Sequence, residues 1–540
     1  MKYLKSSLFV ITLLFSQLTM SQPIEEWVAR FTQPPPWGEG LDRAECLAMD
    51  LSGNVYVTGG ITDYATIKYS SERTDPVDVL WVAIYDGHGY NDGATDMKID
   101  IDGNVYVTGW SDNNGPGYAT IKYDTKGNEI WVSRYDGLYY DGALALALDS
   151  RDNVYVTGYS SGLWEHDIDI VTIKYDTNGN QQWLTRYNSP DSDDDCAYDM
   201  VIDNTDHIYI TGYSRNFGYT TIKYDGGGNQ RWISYYRGPG DILDIAYAMV
   251  LDSQSNVYIT GKSYSINRTT DYATVKYDRN GNELWSARYN GPGNNHDDAF
   301  DIALDSSGNV YVTGSSFGLD EVADYATVKY DSNGVMQWAA RYDGPGSYPD
   351  KARAITVSSA GYIYVTGQSC NNSEDVSDYT TVKYDSDGNE LWVVRYESLG
   401  DGYHNRANDI IVDNSGFIYV TGASRGEETS EDYATIKYRD ESTGIIEADP
   451  SISSVYALLS NYPNPFNDAT TIKYGLPESG KISIDVYNIL GRKVETLVDE
   501  HQDAGYYSIN WDASTYSSGI YFYKLTTNNK TLTKRMTLLK

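Results

Sequence analysis

One pattern constrains this chain more than any other: three short phrases recur along it in fixed order, roughly every 50 residues. The first is an apolar-Tyr-apolar-Thr-Gly strand, beginning at Val55, Val105, Val154, Ile208, Val257, Val310, Ile363 and Ile418. The second ends in Thr-(Ile/Val)-Lys-Tyr, with its lysine at Lys68, Lys122, Lys174, Lys223, Lys276, Lys329, Lys383 and Lys437. The third opens with Trp and usually ends in Arg-Tyr, as in Trp131 to Tyr135, Trp285 to Tyr289 and Trp338 to Tyr342. An alternating apolar stretch closing on Asp precedes the first phrase, as in Asp301 to Asp305. Each unit therefore holds four short strands, the size of one propeller blade. Asp-x-x-Gly-Asn turns, such as Asp305 to Asn309 and Asp124 to Asn128, join strands one to two and three to four. Gly and Asn there supply the positive φ of tight hairpins, so each unit is an antiparallel meander.

Counting the phrases predicts how the array closes. The first three strands occur eight times, but Trp strands follow only seven units, at Trp81, Trp131, Trp183, Trp232, Trp285, Trp338 and Trp392. The eighth copy stands far upstream, as Trp27-Val28-Ala29-Arg30-Phe31. An open array would leave unpaired strand edges. The expectation is an all-β, eight-bladed β-propeller with four-stranded blades, its N-terminal strand completing the last blade. Alanine stands six residues before the end of every first strand, at Ala44, Ala94, Ala143, Ala197, Ala246, Ala299, Ala352 and Ala407. Crowding of eight innermost strands about one axis requires a side chain that small.

Sequence shifts divide the rest. Residues 1–21 read as a secretory signal peptide: Lys2 and Lys5, an apolar run from Leu8 to Phe15, and small residues near Ser21. The propeller is expected over 22–440, a polar linker over 441–455, and a C-terminal domain over 456–540. That domain has alternating strands at Ile482 to Tyr487 and Ile520 to Leu525, and six or seven short strands imply an Ig-like β-sandwich. No later segment is apolar enough for a membrane-spanning helix, so no transmembrane segment is expected after signal removal.

The formal net charge of -35 argues against nucleic acid as a partner, because phosphate is bound through Lys and Arg. Three scattered cysteines, Cys46, Cys196 and Cys370, give neither a disulfide framework nor metal-ligand spacing. The six histidines stand apart, with no Gly-x-Ser-x-Gly elbow and no His-Glu-x-x-His. No catalytic, cofactor-binding or metal residue is assigned. The acidic groups Asp191, Asp193, Asp194 and Asp195, with Asp297 and Asp298, offer oxygens of the kind calcium takes, without the twelve-residue calcium loop. No resident cofactor is expected; calcium (Ca2+) is the one ion these residues admit. A lysine or arginine present in unit after unit cannot mark one active site, so both columns are expected to tie blades together. Function is expected at the other end of the blades, where connections two–three and four–one vary in length around the channel mouth.

The Asp-x-x-Gly-Asn-Val-Tyr-Val-Thr-Gly and Tyr-Ala-Thr-Ile-Lys-Tyr-Asp phrases resemble the bacterial SBBP-type β-propeller repeat. The family name implies seven blades, whereas the phrase count here gives eight. Turns such as Asp124 to Trp131 are similar to the tryptophan-docking motif of quinoprotein dehydrogenases and to the sialidase Asp-box, but with different spacing. The C-terminal segment resembles the type A sorting domain of the type IX secretion system. The matching pieces are Tyr462 to Phe466, Val486 to Gly491, Ser518 to Tyr523 and the closing Lys534-Arg535-Met536. That resemblance implies export across a Gram-negative outer membrane through type IX machinery acting on 456–540, with processing near Glu441 to Ser454, and a secreted or cell-surface product. The functional expectation is a non-enzymatic binding or scaffold module for a glycan or protein ligand. The alternative is a polysaccharide-acting hydrolase or lyase with carboxylates converging at the channel mouth.

Overall fold

The structure is a computed structural model. It describes residues 22–32, 42–440, 457–458, 466 and 469–540, except 61, 72–76, 88–90, 113–114, 138–139, 163–167, 241, 347, 372–375, 398–404, 414, 427–430, 477–478, 490, 503–504, 528–530 and 539. The signal-peptide, linker and processing expectations fall outside these residues. Two compact units divide between Thr443 and Gly444.

In the first unit the described residues form eight four-stranded antiparallel sheets. Blade 1 comprises Ala44–Met49, Val55–Gly59, Tyr64–Tyr69 and Val79–Tyr85, hydrogen-bonded in that order. Blades 2 to 7 repeat the meander, beginning at Asp92–Ile99, Asp141–Leu148, Asp195–Ile202, Ile245–Leu251, Asp297–Leu304 and Asp350–Val357. The eighth sheet is composite: Arg406–Val412, Phe417–Ser424 and Asp432–Arg439, with Ile24–Phe31 as its outer strand. Trp27 pairs with Lys437, the register in which Trp131 pairs with Lys122 and Trp285 with Lys276. The N-terminal strand thus occupies the position that the Trp strand holds in every other blade.

The repeated residues join each blade to the next. Indole Nε1 of Trp131 donates to Thr177 O at 3.0 Å, that of Trp183 to Gly226 O at 3.1 Å, and that of Trp338 to Ser386 O at 3.1 Å. Each acceptor lies in the three–four turn of the following blade. The turn glycine lies flat beneath the ring, and a Cβ on Gly179 would stand 2.7 Å from Trp131. Strand-three tyrosines reach across as well: Tyr64 donates to Ala119 O, Tyr118 to Val171 O and Tyr379 to Ala434 O. Tyr433 of blade 8 donates to Ala65 O of blade 1 at 3.2 Å, so the sequence of contacts returns to its start.

Both charged columns tie blades together. Lys174, Lys276 and Lys329 donate to turn carbonyls of the next blade while lying over their own blade's tyrosine. At the other end, Arg186, Arg288 and Arg395 each hold a strand-three Asp and a tyrosine hydroxyl of the preceding blade. The alanine column is fully buried, at 0 to 2% exposure. Beside it the chain bulges, and the strand-two glycine closes on the bulge: a Cβ on Gly109 would lie 2.0 Å from Gly93 O.

The second unit is a two-sheet sandwich. Three strands (Ala457–Leu458, Ala469–Leu476, Gly505–Asp512) form one sheet, and four (Lys493–Gln502, Gly480–Asn488, Gly519–Thr526, Thr531–Leu538) form the other. Ile472 and Trp511 from the first share a buried core with Ile484, Val486, Tyr523 and Leu525 from the second. No helix among the described residues is long and apolar enough to cross a membrane.

Candidate functional site at the channel mouth

Strand one of every blade is innermost and runs from the variable-loop end to the short-turn end. The residue after the buried alanine lines the inner rim near the loops. In order of blades these are Glu45, Thr95, Leu144, Tyr198, Tyr247, Phe300, Arg353 and Asn408, each partly exposed. Only tyrosine recurs at this position, in blades 4 and 5. The rim therefore has two unlike halves.

Blades 4 to 6 supply an aromatic arc. Tyr198 meets Tyr213 at 6.2 Å between ring centroids and Tyr247 at 5.3 Å; Tyr247 meets Phe300 at 5.7 Å. Trp110 and Tyr159 carry aromatic surface further round, each lying over a glycine of strand one, Gly93 and Gly142. Lys262 stands over the Tyr247 ring at 5.9 Å. Blades 7, 8 and 1 supply a charged half. Lys351 lies over Phe300 at 4.2 Å, where the two halves meet. Arg406 reaches Glu45 at 3.5 Å, Asn408 donates to Glu45 Oε2 at 3.1 Å, and Arg43 pairs with Glu431. Burial and the neighbouring Arg406 charge lower the Arg353 pKa to about 10, and burial lowers that of Lys351. This half of the rim is therefore electropositive within a chain of net charge -35.

Deeper in the channel, four carboxylates alternate around the axis. Blades 2, 4, 6 and 8 place Asp96, Asp199, Asp301 and Asp409 at the bulge, and blades 1, 3, 5 and 7 place Cys46, Ala145, Ala248 and Ala354 there. Each carboxylate accepts two backbone N–H groups, one from its own strand and one from the next blade. For Asp301 these are Ile302 N at 2.7 Å and Ile355 N at 2.8 Å; for Asp409 they are Ile410 N at 2.8 Å and Leu47 N at 2.7 Å. Lys98 adds an ion pair to Asp96 at 2.7 Å. Each Asp keeps partial exposure toward the lumen, but the protein around it makes desolvation dominate, pushing Asp199 and Asp301 up to about 7. With both oxygens engaged by backbone, these groups staple neighbouring blades.

The acidic groups singled out by sequence are each engaged by protein donors. Asp191 and Asp193 accept from Asn216, Arg215 pairs with Asp194, and Asp195 turns inward to accept Ser189 N. Asp297 accepts Gly291 N and Phe317 N, while Asp298 accepts the Thr270 hydroxyl. Closer groupings occur elsewhere: Asp63, Asp86 and Asp92, and again Asp324, Asp343 and Asp350, gather carboxylate oxygens within 4.8 Å at equivalent blade junctions. Cys46, Cys196 and Cys370 are unbridged. His207 contacts Thr205, and His296 contacts Thr270. A cleft of about 530 Å³ opens on the opposite, short-turn face between blades 8 and 1. Its Asp50 carboxylate is occupied by Ser52 N, Asn54 and Tyr56.

The rim residues were not singled out by sequence reasoning, which located only the face that bears them. The usable signal was the position after the alanine column, where the units disagree although the alanine itself is constant.

Comparisons with known proteins agree with this architecture. Residues 460–538 match the family described as secretion system C-terminal sorting domain, and residues 284–318 match the beta-propeller repeat family. No curated protein matches the chain. Among solved structures, the chain is similar to PorZ, a surface component of the type IX secretion system of Porphyromonas gingivalis. The identity is 11%, with 92% of this chain and 75% of that one covered and a TM-score of 0.31. It is also similar to the polysaccharide lyase Uly1, at 10% identity over 64% of this chain and 89% of that one, with a TM-score of 0.40. The C-terminal domain is thus a type IX sorting domain that engages the secretion machinery, and the chain is an exported β-propeller protein, secreted or held at the cell surface.

Proposed function

We propose that the propeller is a carbohydrate-binding module of the bacterial surface, and that its ligand lies across the channel mouth on the variable-loop face. The observation that carries this reading is the arc Tyr198–Tyr247–Phe300, flanked by Tyr213, Tyr159 and Trp110. Partly exposed aromatic rings present flat apolar surface to a sugar's C–H face. An interblade core needs no such arc, because the blades are already sealed by buried tyrosines and docked tryptophans. Binding rather than turnover is favoured by the channel carboxylates, whose oxygens are held by backbone N–H groups.

A glycan array probed with the exported chain tests this, with a turnover screen of the bound glycans beside it. Binding lost in Tyr247→Ala and Phe300→Ala supports the reading. Binding that survives both substitutions places the ligand elsewhere, and cleavage of a bound glycan would establish the hydrolase or lyase alternative.

A further inference from the structure

We infer that the glycan held at this rim is anionic, its carboxylate or sulfate group seated on Arg353 and Lys351 while an adjacent sugar ring packs on the aromatic arc; this rests on the carbohydrate reading above. The cations of the charged half do not balance internally. Arg43 is matched by Glu431, and Arg406 by Glu45, which also accepts from Asn408. Arg353 and Lys351 form no direct ion pair among the described residues and have only the more distant charges of Glu45 and Asp298 to offset them. The Arg353 guanidinium makes no hydrogen bond or ion pair among the described residues, and its Nε is buried without a partner. Lys351 has the face of Phe300 beneath it, and its ammonium likewise has no hydrogen-bond partner there.

Six other propeller arginines show what the fold does with a guanidinium it needs. Arg30, Arg134, Arg186, Arg288, Arg341 and Arg395 each engage an acidic side chain and a strand-two serine. Arg353 has no such role. It stands where other blades carry Leu144, Tyr198 or Phe300, so the blade does not require a cation there. A partly buried guanidinium whose donors are unused among the described residues, with a second cation two residues away on the same strand, matches the bidentate geometry of a carboxylate or sulfate. Lys351 over Phe300 places that charge against the end of the stacking surface, so one oligosaccharide touches both halves.

The test is calorimetric titration of the exported chain with four probes: an oligogalacturonate, a sulfated galactan oligosaccharide, a neutral cello-oligosaccharide and poly-glutamate. One or both anionic sugars should bind at least tenfold more tightly than the neutral one, and the better of the two identifies the charged group. Arg353→Gln should weaken that binding about tenfold to a hundredfold and abolish the preference over the neutral sugar, with thermal melting unchanged. Lys351→Gln should act in the same direction, and Arg215→Gln, outside the rim, should have no effect. Equal affinity for neutral and anionic sugars, an unaffected Arg353→Gln, or poly-glutamate binding as tightly as the sugars would each overturn the inference. Failure of every carbohydrate to bind would instead remove the reading on which it rests.

Discussion

Replacing Asp440 by alanine should unlatch the ring at the point where the chain leaves it. Blade 8 has no three–four turn, since its fourth strand comes from the N-terminus, so the Trp of blade 7 finds no turn carbonyl. Asp440, just past strand Asp432–Arg439, fills the vacancy: Trp392 Nε1 donates to its Oδ1 at 3.3 Å. The other oxygen accepts Lys383 Nζ at 2.6 Å and the Tyr364 hydroxyl at 3.0 Å. Blade 7 also carries Ser358 where the other blades have a turn aspartate, so Asp440 is the carboxylate that meets its lysine. Both side chains of the pair are fully buried. Removing one partner of a buried ion pair costs about 3–5 kcal/mol, because the remaining charge stays desolvated. Chemical denaturation should show Asp440→Ala losing that amount at unchanged m-value, whereas Lys383→Met combined with Asp440→Leu should recover only part of it, since no buried charge is stranded but Trp392 Nε1 and the Tyr364 hydroxyl still lose their acceptor. A loss below about 1 kcal/mol in Asp440→Ala would refute the argument that this carboxylate closes the ring.

Deleting residues 22–32 removes the eighth blade's outer strand with Trp27, whose burial contributes about 4–6 kcal/mol as an upper bound. Scanning calorimetry should find sharply lower melting, and light scattering should find association through the bared edge; an unchanged, monomeric product contradicts closure. Gly109→Ala drives a Cβ into Gly93 O, with overpacking of about 1–3 kcal/mol expected in the same denaturation assay. Stability should peak at about pH 4, close to the unfolded carboxylate value, where the two opposing sets of shifts meet. Asp195 and Asp350 are pushed up to about 6, and Asp199 and Asp301 to about 7, so the folded state binds more protons and loses stability as pH rises through that window. Turn aspartates such as Asp203, held down to about 2 by donors from Thr205, His207 and Tyr209 despite burial, act oppositely and lose their contribution below about pH 4. Melting temperatures across pH 3 to 9 check both limbs, and stability still rising from pH 5 to pH 8 contradicts the first.

The fold was legible because every repeated residue has a repeated partner. Trp131, Lys174 and Arg186 each recur because each touches the next or the previous blade, and Trp27 was recognisable as a displaced copy of the same strand. The axial carboxylates were not legible as a set. Asp96, Asp199, Asp301 and Asp409 occur in every second unit, and a reading that aligns single units treats them as scatter. Their spacing has a physical cause. Each carboxylate spans to the following blade's backbone, so one Asp serves two blades, and a full ring would place twice the charge about one axis. Asp440 was hidden for a different reason, since it fills a turn's role from outside the repeat.

The same logic locates function. A side chain that recurs around a ring is accounted for by the ring, and one that does not recur is freed from structural duty. Just after the alanine column, eight units present seven kinds of side chain, only tyrosine recurring, on a backbone of nearly uniform geometry. Scaffold demand there is satisfied by the neighbouring alanine and the bulge, so these positions can vary at little structural cost. Random drift under that freedom would scatter charged and aromatic groups around the circle. Instead the rings fall on consecutive blades and Lys351 and Arg353, without ion-pair partners among the described residues, on the blade beside them, with Lys351 and Phe300 in contact at the boundary. A ligand with one flat face and one negative end gives that asymmetry a cause, and the ring by itself does not.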